Sequence, residues 1–250
     1  MTTKIHDEIT IIKDLLDRKV EEEYPFILDW AIDHDDGLSE EIMPFVVQCY
    51  QVCAAKGMPT ALLNLGALYY TGNFVPQSYE MAESLYQEAA EKGQYQAWCN
   101  LGYIYYYGRV GEPDFEKAFN CFLKGILLSG DGNCFYKLGD MYRQGLYVKK
   151  DPALAFQLFI RAANGEQNYK QEYISDVYLR IGECLLTGEG TDKDLQGAIH
   201  FLNAARGGYL KRNDGDPYGN VKRNIRHLTH LLSRLFQELD AAETSKGDCS

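Results

Sequence analysis

A single phrase that returns four times along the chain constrains its fold more than any other feature. It reads LGALYYTG from Leu65, LGYIYYYG from Leu101, LGDMYRQG from Leu138 and IGECLLTG from Ile181, at successive spacings of 36, 37 and 43 residues. An alanine follows each phrase, at Ala82, Ala118, Ala155 and Ala198, and opens a second apolar stripe. Most copies close on small residues, AAEKG at Ala89, AANG at Ala162 and AARG at Ala204, whereas the second has KGILLSG from Lys124. A period of this length marks an array in which one supersecondary unit recurs.

The unit reads as two helices. Apolar residues recur at spacings of three and four, and the alanine-rich stretches lack the alternation a strand requires. A glycine inside a helix costs ~1 kcal/mol relative to alanine, so Gly66, Gly102, Gly139 and Gly182 call for a compensating close approach of the second helix, with Tyr69, Tyr105 and Tyr142 expected to fill the space beside it. The second glycine of each phrase (Gly72, Gly108, Gly145, Gly188) stands where a helix end needs a left-handed residue. Pro76, Pro113 and Pro152 precede the next helix, for which Ser78, Asp114, Asp151 and Asp194 are the expected caps. One such pair is too small to bury its own apolar faces, and stacking copies supplies the core.

Two flanking segments extend the array. Trp30, Ala31, His34 and Gly37 repeat the spacing of Leu65, Gly66, Tyr69 and Gly72, and AAKG at Ala54 closes the pair, giving a degenerate first copy. At the other end Val221, Ile225, Leu228, Leu231, Leu232, Leu235 and Leu239 form a helical stripe with a basic outer face, as expected of a capping helix. The expected organisation is one continuous solenoid domain: residues 1–58 as N-terminal cap and degenerate repeat, 59–208 as four repeats, and 209–250 as capping helix and disordered tail. The longest spacing implies added residues around Gly165, read as extra turns at the start of the fourth copy's first helix, with a loop near Glu166 to Asn168.

Charge excludes some partners. The net charge is −11, which repels phosphate backbones and anionic membranes. It is uneven: Met1 to Tyr50 holds four Lys or Arg against thirteen Asp or Glu, whereas Arg206 to Arg234 holds seven basic residues against Asp214 and Asp216. Such ends could join one copy to another in a salt-sensitive way. The opening MTTKIHDEIT lacks the basic patch and apolar run of an export signal, and the uncharged stretch between Lys56 and Glu80 is broken by Asn64, Gly66, Gly72, Asn73 and Pro76. The seven cysteines (Cys49, Cys53, Cys99, Cys121, Cys134, Cys184, Cys249) form no CxxC pair and read as reduced, buried thiols of a cytoplasmic protein. Phosphate-loop, dinucleotide, nucleophile-elbow and HExxH signatures are missing. His227 and His230 have no third ligand nearby in sequence, so neither a metal nor a cofactor is expected.

These residues resemble the Sel1-like repeat family, relatives of tetratricopeptide repeats, with LGxxYxxG in the first helix and AAxxG closing the second. The likeness spans roughly Pro25 to Gly208, and Leu185 replaces the tyrosine in the last copy. It implies an all-α, right-handed superhelical α/α solenoid of helix-turn-helix repeats that acts as a non-catalytic adaptor or scaffold, binding a peptide or helix of another protein in its concave groove. Secreted, cysteine-rich members have been linked to β-lactam binding or hydrolysis, but no cysteine pair recurs from repeat to repeat here. Self-assembly through the charged ends is a further alternative. By analogy with tetratricopeptide arrays, Tyr70, Tyr103, Tyr106, Tyr107 and Tyr136 would face the groove. Asn64, Asn100, Lys137 and Arg180, which precede each repeat's Leu or Ile, would form a row able to hold a peptide's amides or carboxylates.

Overall fold

The structure, a computed structural model, describes residues 3–35, 40–165, 173–212 and 220–247. Gly37, the loop near Glu166 to Asn168 and Cys249 lie outside these residues, as do 248–250 of the expected tail. The described residues are helical, with no strand among them. They form two compact units. The first, residues 1–114, contains α1 (Thr3–Asp17), a 3-10 turn (Glu21–Glu23), α2 (Tyr24–Asp33), α3 (Met43–Ala55), α4 (Pro59–Thr71), α5 (Tyr79–Glu91) and α6 (Gln96–Tyr106). The second, residues 115–250, contains α7 (Phe115–Ser129), α8 (Gly132–Gln144), α9 (Pro152–Ala163), α10 (Ile174–Thr187), α11 (Leu195–Arg212) and α12 (Asn220–Gly247). Within each unit sequential helices pack on one another, from α2 to α6 and from α7 to α12. This is the helix-hairpin stacking of an α/α solenoid.

The repeat glycine sets how close the paired helices come. A Cβ built on Gly66 would lie 2.7 Å from the Tyr86 ring, one on Gly139 2.5 Å from Phe159, and one on Gly182 2.6 Å from Leu202. Each of these partners is the fourth residue after the repeat alanine and is almost wholly buried. The notch is therefore filled from the second helix, the close approach expected of these glycines, and Tyr69, Tyr105 and Tyr142 lie outside it. Those three are only half-buried, and Tyr105 donates its hydroxyl to Glu83 at 2.7 Å.

What recurs at the tyrosine position is a backbone bond. The N–H of the cap residue opening the second helix donates to the carbonyl of that residue in all four copies: Ser78 to Tyr69 (3.0 Å), Asp114 to Tyr105, Asp151 to Tyr142 and Asp194 to Leu185 (2.9 Å each). Because the carbonyl makes the contact, Leu185 serves in the fourth copy as well as tyrosine does elsewhere. The side chains of Ser78, Asp151 and Asp194 in turn accept N–H bonds from Met81, Leu154 and Gly197, capping α5, α9 and α11. Gly72 and Gly145 end α4 and α8 at φ of 77° and 74°, the left-handed turn expected of them.

Ahead of the four copies, Trp30 and Ala31 are buried on α2. The predicted stripe of α12 is also found: Val221, Leu228, Leu231, Leu232 and Leu235 join the core of the second unit, with Ile225 and Leu239 packed against it. Helix α10 begins at Ile174, eight residues before Gly182, against seven between Pro59 and Gly66. The described part of this helix thus carries one added residue rather than the expected extra turns, and the rest of the longest spacing lies within 166–172, outside the described residues.

Candidate functional site

The predicted row starts on amides. Asn64, on α4, donates to the Tyr50 hydroxyl at 3.1 Å, and that hydroxyl donates to Asp35 at 2.8 Å. Asn100, on α6, hydrogen-bonds the hydroxyl of Tyr86. Tyr50 and Tyr86 are buried aromatics at the same repeat position, and burial pushes the pKa of each hydroxyl up, so each stays a neutral phenol that needs a polar partner. In the next two copies Phe122 and Phe159 take that position and have no hydroxyl to satisfy. The row then changes to Lys137 and Arg180.

These two cations belong to an ionic network of the second unit. Asp140, its side chain only 3% exposed, accepts from Arg180 Nε at 2.9 Å and lies 3.7 Å from Lys137 Nζ. Lys137 is equally enclosed, with its ammonium 4.5 Å from the centre of the Tyr136 ring. Arg143 reaches Glu183 at 2.5 Å and Glu189 at 2.8 Å, and Glu183 also bonds His227 on α12 at 2.7 Å. Burial disfavours the Arg180 charge, but Asp140, Tyr136 and Glu183 more than offset it and hold its pKa well above the ordinary value. Burial likewise opposes the Glu183 charge, which Arg180, Arg143 and His227 outweigh, leaving its pKa below the usual carboxylate value. A parallel knot ties α10, α11 and α12: the Tyr209 hydroxyl and the Asn224 amide both donate to Asp176, at 2.7 Å and 3.1 Å.

The predicted tyrosines divide. Tyr136 is 6% exposed and packs against Phe159 inside the second unit. Tyr70, Tyr103, Tyr106 and Tyr107 come together in the first unit. Tyr103 stacks on Tyr107 with ring centres 6.0 Å apart, and Tyr106 meets Tyr107 edge-on at 5.0 Å. Tyr70 meets Tyr79, from α5, edge-on at 5.3 Å. Arg109 joins the two groups, its guanidinium carbon 5.9 Å from the Tyr70 ring centre, 5.3 Å from Tyr79 and 5.4 Å from Tyr107. Tyr107 is 45% exposed and Tyr70, Tyr103 and Tyr106 are half-buried, so the cluster presents aromatic area to solvent. Sequence reading missed Tyr79 and Arg109. The signal for Arg109 was its place after the helix-ending Gly108, where the other copies carry Asn73, Leu146 and Glu189.

Six cysteines are described; all are buried, and each is a thiol rather than half of a disulfide. Burial pushes the Cys49 thiol up to about 12 and Cys53 and Cys184 to about 11, which removes thiolate reactivity near neutral pH. Among the described residues no helix is long and apolar enough to cross a membrane.

Repeating helix hairpins with a glycine notch, a backbone clasp and a terminal cap define an α/α repeat protein of the solenoid class. The Sel1 repeat pattern matches residues 59–94, 97–129, 136–166 and 175–206, and the chain belongs to that family. Among solved structures, it is similar to a Sel1 repeat protein from Oxalobacter formigenes, with a TM-score of 0.66, 21% identity, and 93% of this chain and 92% of the other covered. A protective antigen of uropathogenic Escherichia coli with an SLR fold gives a TM-score of 0.59 at 25% identity, covering 88% of this chain. This chain spans 46% of that protein. An immunity protein from Pseudomonas aeruginosa gives 0.50 at 18% identity, covering 85% of this chain and 82% of its own. No curated protein matches the chain.

Proposed function

We propose that this protein is a non-catalytic interaction scaffold that binds a peptide or helical segment of a partner protein through the tyrosine cluster of its first unit. The observation that carries this reading is the grouping of Tyr70, Tyr103, Tyr106 and Tyr107 around Arg109. Tyrosine offers large, rigid, amphipathic area at low entropic cost and is enriched, with arginine, where binding energy concentrates. Membership of a repeat family built for extended contact surfaces supports it. Asn64 and Asn100 lie on the same two first helices, α4 and α6, and would supply amide contacts along them. Lys137, Arg180 and Tyr136 are left to hold the second unit together, since Lys137 and Tyr136 offer almost no surface. The buried thiols suit a reducing, cytoplasmic setting.

Selection of a displayed random-peptide library on the full chain, followed by titration calorimetry with the selected peptides, tests the assignment. Tyr103→Ser with Tyr107→Ser is expected to weaken binding at least ~10-fold, the effect of losing ~1.4 kcal/mol at a hot spot. Unchanged affinity in a variant of unchanged helical content would remove the cluster from the binding site.

A further inference from the structure

The first two helices enclose a groove of about 490 Å³, lined by Ile5, Ile11, Phe26 and Trp30 with Glu8 and Asp33 among them. Its floor is fixed: Trp30 Nε1 donates to Glu8 at 3.2 Å, and the indole stacks on His34 with ring centres 4.4 Å apart. Its rim stands open, for Ile11 on α1 is 55% and Phe26 on α2 50% exposed. Apolar side chains of this size, left half in water on both helices of one cleft, mark a surface made for contact.

Charge selects what the contact is made with. Met1 to Tyr50 holds thirteen Asp or Glu against four Lys or Arg, so this segment draws cationic partners towards it. The excess is also local to the groove. Asp29 and Asp33 follow Phe26 by three and seven residues on α2, and Asp7 precedes Ile11 by four on α1, which sets each carboxylate on the helix face of the exposed apolar residue. All three are exposed, and none pairs with a described cation. The two cations on that face of α1 are engaged, Lys4 with Glu8 at 3.7 Å and Arg18 with Asp14 at 3.0 Å. The complementary surface is an apolar stripe edged with cations.

We propose that the α1–α2 groove docks a basic amphipathic helix of a partner protein. Its apolar side chains lie between Ile11 and Phe26 above Trp30, and its lysines or arginines stand against Asp7, Asp29 and Asp33. An apolar helix face laid in a groove is an established mode of recognition. Apolar burial holds the helix, while the carboxylates speed the encounter and select the charge of the partner. The surface uses neither the tyrosine cluster nor Arg109 and stands without them.

Fluorescence anisotropy of a labelled peptide titrated with the full chain tests the proposal. The probe is an amidated helix of about four turns, with leucines and one phenylalanine along one face and lysines along both edges. A second probe carries glutamate in place of every lysine. The lysine probe is expected to bind, and the glutamate probe to bind about ten-fold more weakly or less. Ile11→Ser with Phe26→Ser removes only half-exposed apolar groups and should weaken the lysine probe by about ten-fold, as should Asp29→Lys with Asp33→Lys. Glu112→Lys with Asp192→Lys changes the net charge equally at exposed positions away from the groove and should leave the affinity unchanged, as should Tyr103→Ser with Tyr107→Ser. Circular dichroism matching the unaltered chain excludes misfolding of each variant. Failure of the lysine probe to bind, equal binding of the glutamate probe, or affinity that survives either groove variant would overturn the assignment. So would a loss in the Glu112 and Asp192 variant, or in the tyrosine variant, as large as that in the groove variants.

Discussion

Three positions of the repeat carry different chemistry in the two units. At two before, one after and four after the notch glycine, the first two copies have Asn64, Ala67 and Tyr70, then Asn100, Tyr103 and Tyr106. The next two have Lys137, Asp140 and Arg143, then Arg180, Glu183 and Leu186. On one framework, the uncharged set satisfies two buried tyrosine hydroxyls and leaves an aromatic surface. The charged set closes on itself, with Arg180 on Asp140 and Arg143 on Glu183, each pair 40 residues apart in the chain. The same helix face is thus spent outward in the first unit and inward in the second. The residue after the helix-ending glycine follows the same division, since Arg109 gathers tyrosines and Glu189 gathers Arg143 and Lys150.

The sharpest way to break this contrast is to delete one partner from each side. Asp140→Ala leaves Arg180 and Lys137 enclosed without their shared carboxylate, and the loss expected for breaking a buried ion pair is about 3–5 kcal/mol. Asn64→Ala removes one neutral hydrogen bond while Tyr50 keeps its bond to Asp35, so about 1 kcal/mol is expected. Urea unfolding of the two variants measures both. Equal losses would mean that the ionic network is no more structural than the amide row.

A smaller effect concerns what the units share. Gly66→Ala presses a methyl group onto Tyr86, and Gly139→Ala presses one onto Phe159. Each should cost about 1–3 kcal/mol by overpacking, with part of the loss recovered when Tyr86→Leu or Phe159→Leu shortens the opposing side chain. Thermal melts of the single and paired variants report it. Similar losses at the two glycines would place the difference between units in their surfaces and leave the framework common.

How much of this was legible follows from distance along the chain. The notch glycines, the left-handed helix ends and the caps are local, and the phrase LGxxYxxG with its following Ser or Asp declared them. The notch partners were legible too but went unread: Tyr86, Phe159 and Leu202 each stand four residues after the repeat alanine, one helical turn along the buried face. Four of the clustered tyrosines could be named because they share two helices. Arg109 was missed, because its one signal was a loop position whose residue differs in every copy. The ion pairs of the second unit depend on which charged side chains of α8, α10 and α12 stand opposite one another, and no spacing rule within one helix specifies that. The change from amide to cation along the row had a readable cause, the loss of the tyrosine hydroxyl at Phe122 and Phe159, which emerges only once the preceding copy is known to supply the partner.

The smallest effect is a dependence on acid that only the charged unit should show. The pKa of Glu183 is held below its ordinary value in the folded chain, because the charges of Arg180 and Arg143 and the hydrogen bonds of Arg143 and His227 outweigh the opposing effect of burial. The folded state therefore binds fewer protons at this site than the unfolded chain does. The stability it contributes is present above the unfolded value of about 4.3 and is lost as the pH falls through the folded one. Glu183→Gln should accordingly lower the melting temperature at pH 7 by a fraction of the Asp140→Ala effect, and the gap from the unaltered chain should narrow as both are melted at successively lower pH. The gap for Asn64→Ala should stay constant over the same range, because neither that amide nor the Tyr50 hydroxyl changes charge there. A Glu183→Gln gap that does not move with pH would show that the carboxylate holds its neighbours by shape and hydrogen bonding alone, and the second unit would then differ from the first in geometry rather than in charge.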